Sequence, residues 1–229
     1  MRFRNFTIAV LALAATVAVA QNPKMEEKLM AIKQNMAKNK QQLAQYSWTE
    51  TETISIKGST KDTKTYQVRM MNGQQQKTEI NDQKAQSGGG REGRLKQHVV
   101  EKKTDEYQQY GQSIGALAKQ YTTPDPDRLM QAKQQGNLSL VPGAGNTQLV
   151  IKNFVKPNDQ VTFTISDQTK SPVSVQINSY LSDPSDKVMI SAQFADLPDG
   201  TNHVTTTTIN GEQKQLVINE QNSNYQKMF

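Results

Sequence analysis

The chain has 229 residues, with 27 Lys and Arg against 21 Asp and Glu, two His and no Cys. The missing cysteine excludes disulfides, thiolate nucleophiles and cysteine-based metal sites, and a chain of this length can bury a core without such staples. The basic excess is mild and unclustered, which argues against a nucleic-acid partner. Two histidines without a His-x-x-x-His pair leave too few ligands for a metal centre.

The chain opens Met1-Arg2-Phe3-Arg4, runs through the apolar stretch Phe6 to Val17 and closes on Ala18-Val19-Ala20. A basic start, a short apolar core and an Ala-x-Ala end predict a secretory signal peptide over residues 1–20, cleaved after Ala20. The apolar run is shorter than the ~20 residues that span a bilayer. The expected mature chain, residues 21–229, is therefore periplasmic or extracellular and has no transmembrane segment. Arg2 and Arg4 leave with the leader, so 25 basic residues remain against 21 acidic ones.

Pro23 to Ala44 reads as an amphipathic helix docked on a sheet, with Met25, Leu29, Ile32, Met36 and Leu43 on one face. Proline suits its first turn, where the missing N–H would be unpaired in any case. Helix passes into strand at Tyr46-Ser47-Trp48. In Thr49 to Lys57, Trp48, Ile54 and Ile56 share one parity with Glu50 and Glu52. That carboxylate pair reads as a solvated edge rather than as the acid pair of a glycosidase. Gly58 to Asp62 is a turn, and Lys64 to Met71 is a second strand with Tyr66, Val68 and Met70 on one face. Asn72-Gly73 predicts a primed hairpin turn into a return strand, Gln74 to Ile80.

A long insertion follows, at about 81–136. Its Gly-rich stretch, Ser87 to Gly93, lacks the Gly-Lys-Ser/Thr ending of a phosphate-binding loop and reads as a solvated linker. Leu95 to Tyr121 is helical, and Tyr107, Tyr110, Ile114, Leu117 and Tyr121 form its buried face. Gly111-Gln112-Ser113-Ile114-Gly115 fits the Gly-x-Ser-x-Gly nucleophile elbow, with His203 downstream. An elbow needs a strand running into it, whereas Tyr107 and Tyr110 continue the helical spacing, so the stretch reads as a packing surface and the protein as a non-enzyme. Asp125-Pro126 caps and opens a short helix that ends at Gly136.

From Asn137 onward, β-branched runs alternate with turn residues. Pro142, Pro157, Pro172, Pro184 and Pro198 recur at intervals that each fit one strand plus one turn, which predicts an antiparallel meander. Its strands are Leu138 to Val141, Gln148 to Val155, and runs centred on Phe163, Val175 and Ile190, then His203 to Ile209 and Lys214 to Ile218. The last two are expected to join through Asn210-Gly211. Asp183 and Asp186, beside Pro184, read as turn carboxylates. The tail Asn219-Glu220-Gln221-Asn222 reads as amide-rich solvated surface. The predicted fold class is α+β: a curved antiparallel sheet, an open half-barrel, with helices covering its concave face, in a single domain over residues 21–229.

This order of helix, two long strands, hairpin, helical insertion and meander, behind a signal peptide, resembles the periplasmic lipoprotein carriers and the related lipoprotein-sorting proteins. The chain is also similar to uncharacterised exported bacterial proteins with stretches like Tyr46-Ser47-Trp48-Thr49, Pro124-Asp125-Pro126-Asp127-Arg128 and Leu197-Pro198-Asp199-Gly200-Thr201. The resemblance implies a carrier-like binding protein for an acyl chain, a lipid or a lipidated partner. The alternative is a cell-envelope structural or interaction protein without a small ligand. The inward-facing candidates for a ligand are Trp48, Tyr66, Val68, Met70, Phe163, Val175, Ile190 and Phe194. No cofactor is expected.

Overall fold

A computed structural model describes residues 23–71, 74–83, 94–122 and 126–228. The leader at 1–20, the Asn72-Gly73 turn, the Gly-rich stretch at 87–93, Asp125, and the side chains of Met25, Leu29 and His98 lie outside what is described. The elements are α1 (Pro23–Leu43), β1 (Tyr46–Ile56), β2 (Ser59–Met71), β3 (Gln74–Gln83), α2 (Arg94–Thr122), α3 (Pro126–Gln134), β4 (Leu138–Pro142), β5 (Asn146–Lys152), β6 (Gln160–Ser166), β7 (Pro172–Tyr180), β8 (Lys187–Asp196), β9 (Asn202–Gly211) and β10 (Leu216–Lys227).

The ten strands form one antiparallel sheet in the order β3-β2-β1-β10-β9-β8-β7-β6-β5-β4. Short turns join neighbours everywhere except between β1 and β10, where the last strand returns to the first. The sheet is open, with β3 and β4 as its edges, and belongs to the α+β class. The insertion therefore joins one edge to the other. The 29 residues of α2 rise about 44 Å, close to the ~43 Å that ten adjacent strands occupy.

One face of the sheet is covered. Ile54, Ile218, Ile209, Ile190, Ile177, Val161, Ile151 and Leu138 are successive register partners across eight strands, so one apolar residue per strand lines up in a continuous row. Onto this row pack Ile32 of α1, Tyr110, Ile114, Leu117, Ala118 and Tyr121 of α2, and Ala132 of α3. Asn39 fixes α1 to the start of β9: its amide donates to the Asn202 carbonyl at 2.8 Å and accepts from the Asn202 N–H at 2.6 Å. The opposite face carries short polar side chains. Thr63, Thr53, Asn219, Thr208, Ser191 and Gln176 are register partners there, all half-buried or exposed.

The structure corrects three expectations. The last hairpin does not turn at Asn210-Gly211. Gly211 and Leu216 are register partners, and the connection is Glu212 to Gln215, with Gln215 in the left-handed region (φ 49°). Gly211 has a different role, because a Cβ on it would lie 2.5 Å from Cδ1 of Ile114 and 2.7 Å from Cε1 of Tyr110. It is a gap in the sheet surface into which α2 settles. Second, the tail is not only solvated surface: β10 continues to Lys227, and Glu220 is buried within it. Third, Glu50 and Glu52 do not lie on a solvated edge, because β1 is flanked by β2 and β10 and both side chains are buried.

Candidate functional site

The covered face divides into two parts. Over β5 to β9, the C-terminal half of α2 fills the space between helix and sheet. Its tyrosines are tethered at their polar ends: the Tyr110 hydroxyl donates to Oδ1 of Asp186 at 2.7 Å, and the Tyr121 hydroxyl lies 2.6 Å from Oδ2 of Asp159 and 2.7 Å from Oγ of Ser179. Burial, followed by the neighbouring carboxylate, pushes both phenols well above their ordinary pKa, so they remain neutral donors. Asp159 also accepts from the N–H groups of Phe154, Val155 and Lys156 at 2.6, 2.8 and 2.8 Å. It closes the β5–β6 turn and anchors the helix with the same carboxylate. Asp186, read from the sequence as a turn residue, likewise anchors α2, while Asp183 stays local and accepts from the Ser185 N–H.

Over β3, β2, β1 and β10 the covered face has different chemistry. Trp48, Tyr66 and Val68 form a separate apolar cluster, with Met70 and Tyr225 packed against it. The Trp48 and Tyr225 rings stack at 5.4 Å between centroids, and His203 meets Tyr225 at 4.2 Å. Tyr225 is brought there by an irregularity in the β1–β10 register between Ser47 and Thr49, where Asn224 takes a positive φ of 54°. Burial lowers the pKa of His203, favouring the neutral ring.

Between this aromatic cluster and the isoleucine row lies a buried belt of charge. Glu50, Glu52 and Glu220 are 3%, 1% and 4% exposed. Lys77, on β3, hydrogen-bonds Oε1 of Glu50 and stands 3.7 Å from Oε1 of Glu220, with its ammonium 5.8 Å from the Tyr66 ring centroid. Lys64, the register partner of Glu52, lies 3.8 Å from Glu79. Removal from water pushes the Glu52 carboxyl up to about 7, against the opposing pull of Lys77 and with further push from Glu50. The same desolvation raises Glu50 and Glu220. Among the described residues, several buried polar atoms here have no hydrogen-bond partner: Oε2 of Glu52, Oδ1 of Asn222, Nε1 of Trp48 and Nδ1 of His203.

The eight candidates read from the sequence therefore separate. Trp48, Tyr66, Val68 and Met70 come together in the aromatic cluster. Phe163 and Ile190 are buried in the core cluster that α2 packs against, with Val175 at its margin. Phe194 follows a register shift in β8, is half-buried and belongs to neither cluster. Sequence reasoning missed Lys77, Glu220 and Tyr225. The one available signal was the parity that Glu50 and Glu52 share with Trp48 and Ile54. Ser113 sits within α2, exposed, with its hydroxyl bonded to the Gln109 carbonyl at 3.0 Å. That is a helical serine and not a nucleophile on a strand-to-helix turn. Among the described residues, no three or more His, Cys, Asp or Glu side chains are gathered as metal ligands, and no helix is long and apolar enough to cross a membrane.

No family model matches the chain, and no curated protein does. Among solved structures it is similar to a LolA superfamily protein from Nitrosomonas europaea, at 9% identity and a TM-score of 0.39 over 86% of this chain and 93% of that one. It is also similar to a DUF1329 family protein from Desulfovibrio piger, at 9% identity and a TM-score of 0.37 over 90% of this chain and 94% of that one.

Proposed function

We propose that this chain is a non-catalytic binding or carrier-like protein of the periplasm, exported through a cleaved leader at residues 1–20, and that its covered face takes an acyl chain, a lipid or a lipidated partner. The supporting observation is the division of that face. A sheet that served only as a packing surface would carry one continuous apolar cluster. Here Trp48, Tyr66, Val68 and Met70 form a second cluster, bordered by buried polar atoms that have no hydrogen-bond partner among the described residues. Unpaired polar groups in a dry site cost about 1–3 kcal/mol each, and apolar walls with a few unmet polar groups are the usual composition of a ligand pocket.

On this reading Phe163, Val175 and Ile190 belong to the scaffold, and Trp48, Tyr66, Val68 and Met70 contact the ligand. The test is native mass spectrometry of the protein purified from its own periplasm, followed by titration with lipid extract. A co-purifying or added lipid of defined mass supports the proposal. A protein that stays ligand-free in saturating extract leaves the envelope interaction role, with no small ligand, as the function.

A further inference from the structure

The aromatic half of the covered face holds more negative than positive charge. Among the described side chains on this face of β1, β2, β3 and β10 the carboxylates are Glu50, Glu52, Asp62, Glu79 and Glu220, and the cations are Lys64, Lys77 and, beside Tyr46, Lys227. Lys77 sits between Glu50 and Glu220, and Lys64 faces Glu79. What remains, among the described residues, is a pair of buried acceptors without donors: Oε2 of Glu52 and Oδ1 of Asn222. Asn222 is the register partner of Glu50, and Glu220 that of Glu52, so these oxygens belong to adjacent positions on neighbouring strands. Three aromatic rings, Trp48, Tyr66 and Tyr225, belong to the cluster alongside.

We propose that the Glu50, Glu52 and Glu220 belt, walled by Trp48, Tyr66 and Tyr225, binds an ammonium group, so that the ligand of this face is a cationic amphiphile: an apolar chain carrying an amine. The inference rests on the binding function proposed above and names the chemical class of its ligand. Buried oxygens that lack donors are complemented by N–H groups or by a diffuse positive charge. Aromatic faces attract the same charge, by about 2 kcal/mol when desolvated. The protein already contains one such arrangement, since the Lys77 ammonium lies between two of these carboxylates and against the Tyr66 ring. The orphaned oxygens provide for a second ammonium. A metal ion fits less well, because these carboxylates are not gathered as a ligand set.

Binding of this kind is linked to protons. Burial raises Glu50 and Glu220 and raises Glu52 to about 7, so Glu52 retains a proton up to neutrality. A cation favours the ionised carboxylates and displaces that proton, so its affinity increases as pH rises. Among the described side chains, the other charged or titratable groups on this face of the packed strands are Tyr46 of β1, Asp62, Lys64 and Tyr66 of β2, Lys77 and Glu79 of β3, His203 of β9, and Tyr225 and Lys227 of β10. The neutral ring favoured at His203 adds no competing charge.

Trp48 is the single tryptophan of the chain, so its emission reports this site alone. The experiment titrates the mature protein, below micelle formation, with dodecyltrimethylammonium, dodecyl maltoside, dodecanoate and tetramethylammonium, at pH 8 and pH 6. The expected result is binding of the dodecylammonium compound about ten-fold tighter than of the neutral maltoside at pH 8. The margin narrows at pH 6 and is lost in Glu52→Gln and Glu220→Gln, which replace each carboxyl with an isosteric neutral group. Equal affinity for the cationic and neutral compounds overturns the ammonium site and leaves the acyl-chain reading standing. Tetramethylammonium binding as tightly as the dodecyl compound overturns the amphiphile. If no dodecyl compound binds, both readings fail.

Discussion

One row of the covered face runs through both halves of the molecule. From β8 to β4 it reads Ala192, Val175, Phe163, Leu149 and Leu140, and α2 packs over that part of the face. At β1 and β10 the same row reads Glu52 and Glu220, with Lys64 beyond on β2. Thr207 of β9 stands at the change. The register is continuous, so geometry does not require the switch. Burying carboxylates costs several kcal/mol unless each finds a partner, and an apolar residue in the same row would avoid that cost. The filled half is explained by stability. The charged half is not, and it is there that a ligand is proposed.

Four substitutions test this contrast. The largest effect is expected from Asp159→Ala in the filled half, which leaves three backbone N–H groups without their acceptor and the Tyr121 hydroxyl with Ser179 alone. Denaturant unfolding should show a loss on the order of 4 kcal/mol. Gly211→Val drives a side chain into Ile114 and Tyr110, and about 3 kcal/mol should be lost in the same assay. If either change left stability intact, α2 would not be the filler of this half.

Glu52→Gln in the charged half should act with the opposite sign. Burial raises the folded-state pKa of Glu52 to about 7 from the ordinary glutamate value of 4.5. Its contribution to stability is therefore full below about pH 4.5 and is lost as pH rises through about 7. The Gln variant, which cannot ionise, should match the wild type at pH 4.5 and exceed it by roughly 3 kcal/mol at pH 8. Thermal unfolding at the two pH values checks this, and a variant less stable at pH 8 would mean that the carboxylate is fully paired. The smallest effect is expected from Ser113→Ala, on an exposed helical position. Its stability should stay within about 0.5 kcal/mol of the wild type, and ligand binding should be unchanged.

The elements were legible in the sequence because their signals are local. Parity marked the strands, three-and-four spacing marked α2, and turn residues set the meander, so the order of elements and the α+β class follow from short windows. What was missed depends on pairing between distant segments. Whether Glu50 and Glu52 are edge or interior is decided by β10, which lies at the other end of the chain. Their shared parity with Trp48 and Ile54 was visible, but the strand that buries them was not. Gly211 was misread for a related reason: Asn-Gly carries a local turn signal, whereas the glycine is needed because Ile114, far away in sequence, occupies the space of its side chain. Trp48, Tyr66, Val68 and Met70, which cluster in the fold, carry aromatic and apolar signals that are legible locally. Lys77 and Glu220 look like ordinary surface residues until the register joins β3, β2, β1 and β10.

The contrast between the two halves is tested most directly by photo-crosslinking with a dodecylamine that carries a diazirine at the end of its chain, with adducts mapped by peptide mass spectrometry. The account predicts labelling on β1, β2, β3 and β10, at or beside Trp48, Tyr66, Val68, Met70 and Tyr225, and protection by unlabelled dodecyltrimethylammonium. Adducts concentrated on β5 to β8, around Phe163, Val175 and Ile190, would contradict it, because they would place the ligand where α2 fills the face.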